Sequence, residues 1–242
     1  MANFVLVHGA WHGAWCWRDV VAQLASQGHR VHAVNLTGVG ERVHLMSSLI
    51  TLETHIADVS NTIEANELQD VVLAVHSYAG MLGTAIADRM ASRLKHLVYV
   101  DAVVPQPGES WSSMQPSATR EQRLAAASAS SNFSFPPADP ALYGLAGEQY
   151  EWVKRRQVPH PGHTYTAPLQ FDPVRVASVP RTFVDCVRPR MATIDAIRHR
   201  VRDPGFWAGT WQGARIVELQ TGHDPMVSAP ADLVRVLLEA AA

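Results

Sequence analysis

Short runs rich in β-branched residues recur along the chain, each separated from the next by a longer stretch with helical periodicity. Phe4–Val7, Val31–Leu36, Val71–Val75, Leu97–Val103, Thr182–Cys186 and Ile216–Leu219 read as strands. This alternation predicts an α/β fold on a mostly parallel sheet flanked by helices, because parallel neighbours need a long crossover, usually a helix. Trp15–Gln27 carries Trp17, Val20, Val21 and Leu24 at helical spacing and stops at Gly28, a residue suited to the left-handed turn past a helix end. Helices are predicted likewise over Thr54–Glu64, just after Ser77, and from Pro230 to the C-terminus.

The alternation breaks once. From Pro105 to Pro180 the chain is rich in Pro, Ser, Ala and aromatics, with helical patches at Glu121–Ala127 and Glu148–Arg156. This predicts one domain over residues 1–242 with a helical cap inserted at about 105–180, of which Ser128–Pro140 is the most linker-like part. With 47% hydrophobic and 17% charged residues, the chain can bury a sizeable core. Its 20 basic and 22 acidic residues form no long like-charge block, so neither nucleic acid nor a membrane surface is an expected partner. The opening Met1-Ala2-Asn3 runs straight into a strand without the basic segment of a signal peptide, and no apolar run would span a bilayer. Cys16 and Cys186 lack metal or redox spacing and are expected as reduced thiols in a cytoplasm. Nearly all the basic residues are Arg, and Ala is abundant, as in bacteria with GC-rich genomes.

Asp70-Val71-Val72-Leu73-Ala74-Val75-His76-Ser77-Tyr78-Ala79-Gly80-Met81 reads as strand, abrupt turn, helix. At such an elbow a serine in a strained conformation lifts its hydroxyl above the sheet, and its neighbours must be small. Ala79 and Gly80 meet that need. Val75 and Ala79, however, stand where the Gly-x-Ser-x-Gly pattern has its glycines, so an ordinary strand-to-helix turn fits the segment as well as a nucleophile does.

At the other end, Ile216–Gln220 runs into Thr221-Gly222-His223-Asp224. A histidine in the loop after the last strand can reach a serine at the same end of the sheet, which singles out His223 among the 12 histidines as general base. An imidazole in that role needs a carboxylate to fix its tautomer and stabilise the imidazolium. Asp101, closing the apolar run Leu97–Val100, is the preferred acid, since a carboxylate there is costly unless paired. Asp185 and Asp195 stay open as alternatives, and a structural cap of the following loop is the plain role for Asp101.

His8-Gly9-Ala10-Trp11-His12-Gly13-Ala14-Trp15 follows the first strand, and its glycines let backbone N–H groups approach a ligand. The amides of Ala10 and Tyr78 are the expected oxyanion donors. His8 and His12 have no third ligand at a useful spacing, so no metal is expected.

The segment Phe4–Trp15 closely resembles the opening of the plant hydroxynitrile lyase and methylesterase group of α/β-hydrolases and of its small bacterial relatives. The likeness runs through the elbow at Ser77, the Leu97–Pro105 strand and the Gly222-His223 loop, and is weakest in the cap. The order Ser77, Asp101, His223 agrees with the order of that fold. The lyases of the group carry a threonine beside the oxyanion turn and a lysine after the catalytic histidine; the corresponding residues here are Gly9 and Asp224, which favours hydrolysis. They also place their acid after a later strand, near Arg188, where no carboxylate aligns, whereas an acid at Asp101 is similar to the arrangement in haloalkane dehalogenases. Among bacterial members the chain is most similar to esterases that hydrolyse methyl benzimidazol-2-yl carbamate, carbendazim, to 2-aminobenzimidazole.

Residues and resemblance together predict a serine hydrolase of a small aromatic ester or carbamate, acting through an acyl- or carbamoyl-enzyme without metal or organic cofactor. Trp111, Met114, Phe133, Phe135, Tyr143, Tyr150, Trp152 and Tyr165 of the cap, with Trp11, are the expected pool for an apolar pocket, and Trp11, Trp111 and Trp152 the expected substrate contacts. Several of them serve equally to seal the cap on the core. A ligand-binding protein of the same fold without turnover, kept open by Val75 and Ala79, and a hydroxynitrile lyase are the competing functions.

Overall fold

The computed structural model describes residues 1–242. In chain order it contains β1 (Asn3–Val7), α1 (Arg18–Ser26), β2 (Arg30–Val34), α2 (Leu52–Ala65), β3 (Val71–His76), α3 (Gly80–Arg89) and β4 (Leu94–Val100). A long excursion follows, with α4 (Ser117–Ala129), β5 (Ser134–Phe135), α5 (Gly147–Lys154), β6 (His160–Pro161), α6 (Gly162–Thr166) and α7 (Pro173–Ala177). The chain then returns as β7 (Arg181–Cys186), α8 (Asp195–Arg200), β8 (Arg215–Leu219), α9 (Pro225–Ser228) and α10 (Pro230–Ala241).

Six strands form one sheet in the order β2-β1-β3-β4-β7-β8, and every pairing in it is parallel. Central strands covered on both faces need apolar residues throughout, and β3 and β7 are buried along their whole length. The edge strands β2 and β8 are partly exposed. Helix α10 starts on Pro230 and turns Leu233, Val236, Leu237 and Ala240 inward, while α1 gives way to Gly28 at φ +81°, the left-handed turn that only glycine adopts without strain.

Strand order reverses at β1: β2 lies on one side of it and β3 on the other. The loops leaving the carboxyl ends of β1 and β3 therefore diverge, and the crevice between them is where a ligand has room to bind. Ser77 and the Gly9–Ala10 turn occupy those two loops.

The first strand positions are as the sequence pattern predicts, with the ends adjusted. Strand β4 stops at Val100 rather than Val103 because Asp101 takes φ +42° and turns the chain, after which the Val103 N–H donates to the Ser77 carbonyl at 3.0 Å. Strand β2 stops at Val34. The helix predicted from Trp15 begins as a tight turn over Ala14–Trp17 before α1 proper. The stretch that reads as most linker-like is anchored: β5 pairs antiparallel with β6, matching Phe135 to His160, and Phe135 is buried. Burying an aromatic there outweighs the turn-forming tendency of the surrounding Ser and Pro. No helix is long and apolar enough to cross a membrane.

Candidate active site

Ser77 follows the last residue of β3 and holds φ +54°, a left-handed conformation that a serine adopts only when its surroundings enforce it. The enforcement is steric. A Cβ at Gly80 would fall inside the Val103 carbonyl, and one at Gly9 would lie 2.8 Å from the Ser77 Cβ. Gly80 therefore meets the need for a small residue, as the sequence implies. The bulk of Val75 is accommodated elsewhere: a Cβ at Gly83, one turn into α3, would meet the Val75 methyls at 2.8 Å and 2.9 Å. A glycine on the helix compensates for the one missing from the strand.

His223 sits in the loop after β8. Its N–H donates to the Tyr143 carbonyl at 2.9 Å, and Gly222 must be glycine because a Cβ would strike that same carbonyl. From the other side His76 Nε2 donates to the His223 carbonyl at 2.9 Å. So held, His223 Nε2 lies 2.9 Å from Ser77 Oγ and its Nδ1 lies 2.7 Å from Asp101 Oδ2. Asp101, wholly buried, comes from the carboxyl end of β4, so the three groups meet from the ends of three different strands.

The other two acids have a different partner. Arg198, on α8, donates through Nε to Asp185 Oδ1 at 2.6 Å, through Nη1 to Asp195 Oδ1 at 2.8 Å and through Nη2 to both Asp101 oxygens at 2.8 Å and 3.1 Å. Arg202 Nη2 takes the second oxygen of Asp185 at 2.7 Å. Asp185 thus acts on Asp101 only through the guanidinium they share. The sequence signal for Arg198 was an excess of acids at strand ends, which a buried cation must balance.

His12 and Asp224 form a second buried pair beside this relay. His12 Nδ1 faces the Ala10 carbonyl at 2.7 Å and its Nε2 faces Asp224 Oδ2 at 3.0 Å. Both neighbours are acceptors, so only the imidazolium satisfies both nitrogens. Burial alone would lower the pKa of His12, but the Asp224 carboxylate against it wins and raises it. Burial pushes Asp224 the opposite way, and His12, with His76 and His223 nearby, brings it down to about 2. His8 has no such partner, and the Asp224 carboxylate 3.5 Å from His76 Nε2 does not offset the cost of burying that ring. Burial holds His8 neutral, at about 3, with Nε2 accepting from the Leu36 N–H at 3.2 Å and Nδ1 donating to the Gly9 carbonyl at 2.8 Å; His76 is pushed well down by burial and by His223. The ligand atoms of His76, His223 and Asp224 approach within 4.8 Å, but the His76 proton is committed to a carbonyl and both nitrogens of His223 are taken.

The Gly9–Ala10 turn passes directly over Ser77, and Tyr78 follows it, so Ala10 and Tyr78 flank the hydroxyl from two loops. Trp11, at φ +65°, packs on Trp111 and Phe135 with ring centroids 6.1 Å and 5.8 Å apart. Trp111 packs in turn on Tyr78 at 5.0 Å. Trp11 and Trp111 thus belong to one aromatic cluster that reaches the side chain of Tyr78, the residue after Ser77. Trp152 does not: it packs on Trp15 at 5.0 Å, under Arg18 and Arg156, and lines an outer cleft with Glu148 and Tyr150. On α5 it is Val153 that is buried, while Trp152, about 100° round the helix, is only partly so. Cys16 and Cys186 are separate, buried free thiols.

The chain matches the alpha/beta hydrolase family over residues 4–236. It is 41% identical to a carbendazim hydrolyzing esterase of Nocardioides sp. (strain SG-4G), covering 98% of each chain. It is 29% identical to methylesterase 7 of Arabidopsis thaliana, over 99% of this chain and 96% of that one. An extracellular alpha/beta-hydrolase from a Paenibacillus species, described as sharing structural and functional homology with tobacco salicylic acid binding protein 2, superposes with a TM-score of 0.83 at 20% identity, covering 99% of both chains. With the match running through all but the ends of the chain, the protein belongs to the alpha/beta hydrolase family, as a hydrolase whose relatives in sequence include esterases.

Proposed function

We propose that the protein is a serine-dependent hydrolase of small aromatic esters or carbamates. The observation that carries this is the relay Ser77 Oγ to His223 Nε2 at 2.9 Å and His223 Nδ1 to Asp101 Oδ2 at 2.7 Å, within the range at which a base takes a hydroxyl proton. Ser77 attacks the carbonyl carbon while His223 accepts its proton, and the Asp101 carboxylate stabilises the resulting imidazolium. The amides of Ala10 and Tyr78 serve the oxyanion, each such donor being worth about 3 kcal/mol in the transition state. His223 then gives its proton to the departing alcohol or amine. Water, deprotonated by the same imidazole, attacks the acyl or carbamoyl carbon and frees Ser77; a carbamic acid so released loses carbon dioxide.

The carbendazim esterase supports the carbamate and the methylesterases support methyl esters as the substrate type. The segment 105–180 serves as a cap over the strand ends, and the unpaired thiols suit the cytoplasm. Asp224 is a carboxylate neutralised by His12, which leaves no free cation after His223 for a departing cyanide and weighs against a lyase. A fluorophosphonate probe tests the nucleophile: it should label Ser77 in the unmodified protein and leave Ser77→Ala unlabelled. Hydrolysis of p-nitrophenyl esters, aromatic methyl esters and aryl carbamates then ranks substrates, and an unlabelled protein that still binds these compounds would overturn catalysis in favour of a binding protein.

A further inference from the structure

A cleft of about 380 Å³ opens on Trp11 and is lined by Arg123, Phe135, Leu142 and Met191 among others. Leu142 precedes Tyr143, whose carbonyl holds the His223 loop, and Trp11 follows Ala10 of the oxyanion turn, so two of the cleft's lining residues are chain neighbours of residues that hold or flank the proposed relay. Its cation is unusual. The Arg123 guanidinium lies 5.1 Å from the rings of both Trp11 and Trp111, 5.5 Å from Tyr165 and 5.9 Å from Phe135. Nη1 makes a long hydrogen bond to Gln115 Oε1 at 3.3 Å, the Tyr165 hydroxyl lies beside the guanidinium, and no carboxylate pairs with it.

Two polar atoms of the aromatic cluster around this cation are sealed from solvent. The Trp11 Nε1–H and the Tyr165 hydroxyl are buried without a hydrogen-bond partner. The acid on the cleft, Asp139, sits exposed at its edge and accepts from the Ala141 N–H at 2.9 Å. Aromatic faces attract a cation but offer little to the in-plane N–H groups of a guanidinium, which match a carboxylate two at a time. A half-buried guanidinium without a carboxylate partner, set among stacking surfaces, is complementary to a flat, anionic acceptor.

We propose that this cleft is the recognition subsite of the hydrolase and that Arg123 is its specificity determinant: the preferred substrate is an aromatic ester or carbamate bearing a carboxylate remote from the scissile bond. This rests on the serine-hydrolase assignment for the location of the scissile bond, though not for the binding of the anion. It also separates the substrate from the neutral carbamate named for the Nocardioides relative.

The three monomethyl benzenedicarboxylates present the carboxylate at three distances from one ester and are compared with methyl benzoate. In the unmodified protein at least one isomer should exceed methyl benzoate in kcat/KM by roughly tenfold or more, through KM, the scale of a hydrogen bond to a charged group. Arg123→Gln should reduce that ratio at least tenfold, and comparing ratios cancels the intrinsic reactivities of the esters. Tyr165→Phe, which removes one donor and keeps the ring, should reduce it severalfold. Ratios that do not change in either variant overturn the proposal. In Ser77→Ala protein, quenching of tryptophan fluorescence gives half-ester and dimethyl-ester affinities without turnover. A half-ester preference that Arg123→Gln abolishes there, alongside an unmodified protein that hydrolyses none of these esters, upholds the subsite and sinks the nucleophile. Brisk hydrolysis with no Arg123-dependent preference does the reverse.

Discussion

Ser77 and Asp101 both hold positive φ, +54° and +42°, at a cost of about 1–3 kcal/mol each, and this strain aims two functional side chains at one imidazole. Replacing Ser77 or His223 with Ala should lower turnover by roughly 10⁴- to 10⁶-fold, and Asp101→Asn somewhat less. Asp185→Asn should keep much more activity than Asp101→Asn, because it touches Arg198 and not His223; steady-state kinetics on a p-nitrophenyl ester check the order. The pair His12–Asp224 makes a pH-dependent contribution. His12 is raised from 6.5, so its share is complete below that value and is lost as the pH climbs through the raised one. Asp224 is lowered from 3.8 to about 2, so its share is present above 3.8 and lost as the pH falls through about 2. The pair is therefore strongest between about pH 4 and 6.5. Asp224→Asn should destabilise the protein by about 3–5 kcal/mol in that window, with a smaller deficit at alkaline pH, as read by urea denaturation across pH. A deficit that grew as the pH rose above 6.5 would contradict the assigned charges.

The elbow is a matter of two elements meeting rather than of one motif. Val75 on β3 and Gly83 on α3 are complementary in volume. Gly83→Ala should destabilise by about 1–3 kcal/mol, the usual penalty for overpacking, and Val75→Gly should relieve much of that penalty in the double variant, giving a coupling that thermal unfolding of the four proteins measures. The strands and the Ser77 and His223 loops were legible because β-branched runs and turn residues act locally. The compensation between Val75 and Gly83 was not, since a degraded motif looks the same whether or not a residue eight positions on restores the space. Nor was the orientation of Trp152, where helix phase decided and amino-acid type did not.

Across the whole molecule, Arg198 joins α8 to the ends of β4 and β7 by binding Asp101, Asp185 and Asp195. Arg198→Met should destabilise by about 3–5 kcal/mol by removing the only guanidinium on buried Asp101 and leaving Asp185 to Arg202 alone, and adding Asp185→Asn should restore part of the loss; chemical denaturation of the single and double variants tests this. Sequence alone pointed to Asp101, Asp185 and Asp195 as rivals for His223, because contacts between loops so far apart in the chain depend on strand order. Strand order is also what makes the seat of the acid transferable. Val100 of β4 and Val184 of β7 are paired in register, and β7 runs only two residues further, to Cys186, so the loops after these adjacent strands open at the same end of the sheet. A carboxylate can migrate from one loop to the next over evolutionary time without the base having to move, which is how relatives can share a histidine yet draw its companion from different strands.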